Sequence, residues 1–182
     1  VNNTKIVVRM AAERGLIFTG AGISVESGIP PFRGPTGLWS KYDPNILEID
    51  TFMQNPEESW PVIKEIFYDF YGQAKPNPAH YAVAALEQAG KIKTVVTQNI
   101  DHLHHEAGSK NVIEYHGTLK TLTCLKCHDH LQYEPTLLTH LPDRCTKCNG
   151  LIKPDFVFFG QNVPLDAQNQ SREAAIDADV VI

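Results

Sequence analysis

The chain has 182 residues, an apolar fraction of 42% and a formal net charge of −5, so it can bury a core as one large domain or as a domain carrying a small insert. Acidic residues outnumber basic ones, 21 to 16, with no dense Lys/Arg cluster, which argues against a nucleic-acid partner. No apolar run reaches the length of a membrane span and the first residues lack a signal-peptide pattern, so a cytosolic location with no membrane partner is expected.

Taken in order, residues 4–14 place Ile6, Val7, Met10 and Ala11 on one helical face, with Gly15 as a stop, and predict a first helix. Leu16-Ile17-Phe18 is a brief strand running into Gly20-Ala21-Gly22-Ile23-Ser24-Val25-Glu26-Ser27-Gly28, a small-residue turn whose amides could face a phosphate. The spacing is Gly-x-Gly-x5-Gly, and a tight turn with no ligand would look much the same. Ile29 to Gly37 holds three prolines and two glycines, which break any period, so it is a loop. Phe32 and Arg33 on that loop suit a lid over a cofactor, or an aromatic anchor to the core.

Residues 45–72 look helical up to Pro76-Asn77-Pro78. Ala79 to Ala89 reads as a second helix with Ala82, Ala85, Leu86 and Ala89 on one face and Gly90 closing it. It leads into Lys93 to Thr97, a β-branched apolar run that predicts a buried strand, with Gln98, Asn99 and Asp101 just past its carboxyl end. Open α/β sheets bind ligands there. Val112 to Tyr115 is another short strand, delivering His116 and then Gly117, a residue that permits close approach of backbone or ligand.

Cys124-Leu125-Lys126-Cys127 and Cys145-Thr146-Lys147-Cys148 are two Cys-x-x-Cys knuckles 17 residues apart. Each bends two thiolates toward one ion, so one structural zinc is expected, with two disulfides as the alternative. Four thiolates leave no open position for substrate. His128 and His130 are then solvated loop residues. Lys153 to Gly160 is extended and apolar, Leu165 to Ala178 is a weakly periodic helix, and Asp179 to Ile182 reads as the opening of a buried strand, so further sequence is expected at one or both ends. The order describes an α/β parallel sheet interrupted by a zinc ribbon.

With Gly20-Ala21-Gly22-Ile23-Ser24, Pro31-Phe32-Arg33-Gly34, Thr97-Gln98-Asn99-Ile100-Asp101, His116-Gly117 and the two knuckles in one order, the chain resembles the sirtuins, NAD-dependent protein-lysine deacylases, from about Lys5 to Ile182. The resemblance implies a Rossmann-like NAD-binding domain from residues 1–34, 79–117 and 151–182, a helical insert with the cofactor loop at 35–78, and a zinc-ribbon module at 118–150. It also implies removal of acetyl groups from a protein or peptide substrate, giving nicotinamide, O-acyl-ADP-ribose and free lysine. An NAD hydrolase or mono-ADP-ribosyltransferase using the same site, or a non-catalytic zinc-ribbon module, are the alternatives.

By the same resemblance, Gly20, Ala21, Gly22, Ser24 and Glu26 form the phosphate turn, and Phe32 and Arg33 lie over the cofactor, Phe32 shielding the reacting ribose carbon. Asn99, Ile100 and Asp101 hold the nicotinamide amide and Gln98 a ribose hydroxyl. His116 is the general base, a role that suits a side chain whose ordinary pKa of about 6.5 leaves it mostly neutral at pH 7. Val157, Phe158, Phe159 and Gly160 match the family's substrate strand, with core strand as the plain alternative. His102, His104 and His105 are left as surface or structural. In the branch that removes acidic acyl groups, a Tyr and an Arg precede the Pro-Asn-x-x-His run; counting back from His80, those places hold Lys64 and Phe67. Pro31 and Gln161 depart from the commoner residues at their positions. Family members continue past Ile182 with adenosine contacts, so the chain as given is expected to bind NAD weakly and to turn over poorly.

Overall fold

The computed structural model describes residues 13–35, 37–134 and 144–182. The predicted helix at 4–14 falls almost wholly outside them. Four parallel strands form the main sheet, in the order β3-β2-β1-β7, with β1 at Gly15–Thr19, β2 at Ile92–Thr97, β3 at Val112–Glu114 and β7 at Val180–Val181. Alternation along β1 and β2 sends neighbouring residues to opposite faces. Ile17 and Val95 pack with Val83 on one face, whereas Leu16 and Val96 pack with Ile113 and the alanines Ala167 and Ala174 on the other. Helices α3 (Pro78–Gln88) and α5 (Leu165–Asp177) supply those coverings. The terminal strand predicted as buried is a two-residue edge pairing with β1, and Val181 is exposed.

Asn77 accepts from the Ala79 N–H and completes a capping box with His80, and Pro78 sits at the first helical position, so α3 starts sharply. The buried face is His80, Val83 and Ala84 rather than the predicted alanine stripe; Ala82, Ala85 and Ala89 are exposed and Leu86 is half-buried. Alanine contributes little to burial, so the larger Val83 and the hydrogen-bonded His80 set the face.

The predicted helical stretch at 45–72 is a chain of short pieces: a 3-10 turn at Pro44–Leu47, α1 at Ile49–Gln54, α2 at Pro56–Ile63, a π-helical segment at Lys64–Phe70 and a final 3-10 turn at Tyr71–Gln73. Pro61 lies inside α2 and lacks the N–H that continues regular pairing, consistent with the switch to wider turns just after it. Its large apolar side chains build the main core: Phe52, Trp60, Ile63, Ile66 and Phe67 are all fully buried. Trp60 Nε1 donates to the Ile152 carbonyl at 3.1 Å and ties these helices to a second sheet.

That second sheet is antiparallel, in the order β5-β4-β6, with β4 at Gly117–Cys124, β5 at His130–Gln132 and β6 at Ile152–Phe156. Here the structure corrects the sequence reading, which assigned the strand after the knuckles to the parallel sheet. β6 returns antiparallel to β4, so residues 152–156 belong to the zinc-ribbon sheet and only α5 and β7 rejoin the main one. A strand reached by a short excursion pairs most easily with the strand that left, whereas a parallel return needs a longer crossover.

Gly117 is the point where the chain leaves one sheet for the other. It has φ +78°, and a Cβ there would run into the Asp155 carbonyl oxygen. Gly117→Ala is therefore expected to cost on the order of 2 kcal/mol or more, lowering the melting temperature by roughly 4–8 °C. A thermal melt of the variant matching the parent would show that the backbone at this junction can relax.

Candidate functional site

The site grows from the carboxyl ends of β1 and β2, which pair in register from Leu16↔Thr94 to Thr19↔Thr97 and so release their turns side by side. After β1, Ala21–Ser27 forms a 3-10 helix closed by Gly28 at φ +89°. Ser24 on this turn is fully buried. Its hydroxyl donates to Asp101 Oδ2 at 2.6 Å and accepts from Asn99 Nδ2 at 3.1 Å. Asn99 Nδ2 also donates to the Gly20 carbonyl at 3.1 Å, and the Leu103 N–H donates to Asp101 Oδ1 at 3.0 Å.

A second layer lies beneath. Asn77 donates through Nδ2 to the Ile23 carbonyl and to Ser27 Oγ, at 2.7 and 2.9 Å, so the cap of α3 also fixes the first turn. The Asn77 N–H donates to His80 Nδ1 at 3.2 Å. A neutral His80 then carries its proton on Nε2, the nitrogen that faces Ser24 Oγ at 3.5 Å. Burial pushes the His80 pKa down, with the Asp101 charge opposing. His104 stacks edge-on to His80 with ring centroids 5.0 Å apart and shares a hydrogen bond with Thr19 Oγ1 at 2.9 Å. It is 2% exposed, and burial, then its neighbours His80 and His105, pull its pKa down to about 4.

His116 leaves the end of β3. Its Nδ1 lies 3.1 Å from the Gln98 carbonyl. A carbonyl can only accept, so Nδ1 carries the proton and Nε2 keeps the lone pair. The His116 carbonyl accepts from the Val157 N–H at 2.8 Å, which places residues 157–159 beside the imidazole. Phe159 is tethered by two backbone hydrogen bonds, its N–H to the Leu47 carbonyl and its carbonyl from the Ile49 N–H. Gln161 Oε1 closes the following turn by accepting from the Phe158 N–H at 3.0 Å.

These parts surround a cleft of about 430 Å³. Gly20, Ala21, Ser24, Phe32, Arg33, Gln98, Asn99, Ile100, Asp101, His116, Val157 and Phe159, all singled out in the sequence, line it. Gly22, Glu26, Phe158 and Gly160 do not. Gly22 and Glu26 are exposed on the outer side of the 3-10 turn, Phe158 is 1% exposed and packs edge-on against Phe52, and Gly160 turns away at φ +81°. Trp39 completes an aromatic run along one wall, 5.5 Å from Phe32 and 6.0 Å from Phe159.

The four thiols converge apart from the cleft. Cys124 and Cys148 Sγ are 3.5 Å apart and Cys127 and Cys145 Sγ 3.6 Å, too far for disulfides and close to the edge of a zinc tetrathiolate, about 3.8 Å. All four sulfurs lie within 4.8 Å of one another, and a Cβ at Gly150 would press on the Cys124 and Cys148 sulfurs. The cluster fits a zinc ion.

With this geometry in place, comparison with known proteins is decisive. The profile described as Sir2 family matches residues 20–182. The chain belongs to the Sir2 family. It is 46% identical over 164 residues to a Pyrobaculum aerophilum protein named NAD-dependent protein deacetylase 1, covering 89% of this chain and 64% of that one. Among solved structures it superposes on a Sir2 protein with a deacetylated p53 peptide and 3′-O-acetyl ADP-ribose (TM-score 0.87, 42% identity) and on a Sir2–p53 peptide–NAD+ complex (TM-score 0.85, 41% identity). Each covers 94% of this chain and 70% of that chain. This Sir2 chain thus spans about two thirds of the length of such relatives.

Sequence reasoning missed the supporting layer. The cap role of Asn77 shows in the sequence only as an Asn before a Pro. Of the two readings the sequence allows for His104, surface or structural, the structure selects the structural one, since the side chain is buried. An unfolded imidazole binds its proton at about 6.5, whereas His104 does so only at about 4. Between those values the unfolded chain holds a proton that the folded chain refuses. Stability is thus complete above about 6.5 and is lost as pH falls through about 4, by on the order of 3 kcal/mol. His104→Gln is expected to flatten that decline, measured as denaturation midpoints at pH 7 and pH 4.5. An unchanged pH dependence would remove His104 as its source.

Proposed function

We propose that this protein is an NAD-dependent protein-lysine deacetylase, converting an acetyl-lysine peptide, NAD and water to free lysine, nicotinamide and O-acetyl-ADP-ribose. The observation that carries this reading is His116, whose proton is held on Nδ1 by the Gln98 carbonyl while the ring faces the cleft shared with Asn99 and Asp101. When bound, NAD supplies an electrophilic ribose carbon whose leaving group is nicotinamide. The protein's own residues hold the rest. Asp101 and Asn99, fixed by Ser24, orient the amide end without needing to reorganise, which is how polar groups contribute most to catalysis. His116 Nε2 takes the proton from a ribose hydroxyl as that oxygen becomes a nucleophile. Phe32, Trp39 and Phe159 exclude water from the reacting carbon. Val157 and Phe159 offer an extended segment against which an acyl-lysine peptide adds as a strand. Zinc held by Cys124, Cys127, Cys145 and Cys148 is structural, and its reduced thiolates suit a cytosolic setting.

In a form of the protein as long as its relatives, His116→Ala is expected to cut deacetylation by about 100-fold or more while leaving NAD affinity nearly unchanged, because the step lost is proton transfer. Parent-like turnover would refute the assignment of the base. Nicotinamide release that does not depend on acyl-peptide would favour an NAD hydrolase.

Acyl preference follows from the same cleft. Phe67 lines it, but Lys64 points elsewhere and pairs with Asp69 at 2.6 Å. Neither position can offer a bidentate cation to an acidic acyl chain. Acetyl-lysine is expected to be favoured over succinyl-lysine by about tenfold or more, the worth of one missing charge-assisted hydrogen bond. A competition assay with both peptides in one tube, won by succinyl, would overturn this.

A further inference from the structure

Beside the cleft, two histidines that follow the Asp101 turn meet a carboxylate from β3, and the proposed reaction uses none of the three. His102 caps the short helix α4 (Leu103–Glu106), His105 lies three residues on and on the same side, and Glu114 ends β3. His102 Nδ1 is 3.1 Å from Glu114 Oε1, and the rings of His102 and His105 stack with centroids 4.5 Å apart at 30°. One donor atom from each of the three lies within 4.8 Å of the others. Among the described residues this is the one such group besides the cysteine cluster. We propose that His102, His105 and Glu114 form a second metal site, which binds a divalent transition metal of the zinc class through two imidazole nitrogens and one carboxylate oxygen.

The donor set selects the metal. Imidazole favours zinc, nickel, copper and cobalt, whereas calcium and magnesium require shells of oxygen. Donors about 2.0–2.2 Å from a tetrahedral ion sit roughly 3.4 Å apart, so a contraction of at most about 1.4 Å at the side-chain ends closes the set. The flanking backbone is already held. Leu103 N–H is fixed by Asp101, the Glu114 strand pairs with Thr97 on β2, and the Ser109 N–H donates to the His104 carbonyl, closing the turn that carries His105. His102 holds φ +65°, a conformation strained for a non-glycine residue, and its ring reaches Glu114. His102 and Glu114 side chains remain 29% and 18% exposed, so an ion can enter and water can fill the remaining position. A bound ion would brace the segment next to Asp101 against the strand that leads to His116.

The test is a cobalt titration of the untagged, metal-stripped protein. The first equivalent should give the intense near-ultraviolet thiolate charge-transfer band of the cysteine cluster. A second should add weak visible bands with no further charge transfer. His105→Ala and Glu114→Gln should each weaken the second event by about 100-fold or more while leaving the thiolate band and the melting temperature in place. His102→Gly removes that ligand while accepting the same backbone conformation, and should do likewise. Independently of any variant, zinc added to protein with its cysteine cluster already filled should shift the ring nitrogen resonances of His102 and His105 and leave those of His128 and His130 unmoved. Saturation at one equivalent, a second event that survives the substitutions, or unshifted His102 and His105 rings would each overturn the proposal.

Discussion

The hydroxyl of Ser24 is the point at which two turns become one site. It has no access to water, so each of its hydrogen-bonding positions must be filled from within the protein, and Asn99, Asp101 and His80 surround it. Losing any one partner would leave a buried polar group unpaired, at about 1–3 kcal/mol, so the network resists partial disassembly. The parallel pairing of β1 with β2 makes the arrangement possible, since it ends both strands at the same level and delivers the Gly20 turn and the Asn99 turn together. Asn77 and His80 extend the constraint to α3, so a helix whose apolar face is small is still held firmly to the site.

His116 stands under a different constraint. It occupies the step between the parallel and antiparallel sheets, with Gly117 turning the chain against the Asp155 carbonyl just behind it. Because its carbonyl accepts from Val157 and its ring donates to Gln98, His116 touches both sheets at once. Any shift between the sheets would thus move the imidazole relative to Asn99 and Asp101. The aromatic core of the helical insert opposes such a shift, since Trp60 hydrogen-bonds β6 and Phe67 packs on Phe156 at 5.1 Å.

Much of this was legible before any coordinates. Short β-branched runs located β1, β2 and β3 to within a residue or two, and the residues beyond β2 lined the cleft because strand ends in such sheets converge. What the sequence concealed was pairing. The apolar extended look of residues 152–156 is compatible with either sheet, and only the antiparallel return to β4 decides between them. The α3 face was misjudged for a related reason: an alanine stripe looks apolar but buries little, while His80, which looks polar, is wholly buried because its nitrogens are engaged. Alternation did separate Phe158 from Val157 and Phe159, as the period of a strand requires, yet nothing in the local pattern said which face was the cleft.

Lys153 shows how far the segment on the cleft wall depends on buried polar chemistry. It is 6% exposed, and its Nζ donates to the Pro154 and Phe156 carbonyls at 2.7 Å each while lying 4.2 Å from the Phe158 ring centre. Burial pulls its pKa down to about 8, with Asp155 opposing, so near neutral pH it is mostly a cation enclosed by carbonyls and aromatic faces. The Phe156 carbonyl ends β6 just before Val157 and the Pro154 carbonyl lies two residues earlier in the same strand, and without the ammonium both would lose this partner. Between about pH 8 and 10.5 the unfolded chain keeps this proton longer than the folded one, so the burden of enclosing the charge eases as pH rises through that range. The same cation ties down the end of β6, from which Val157 and Phe159 reach the wall of the cleft.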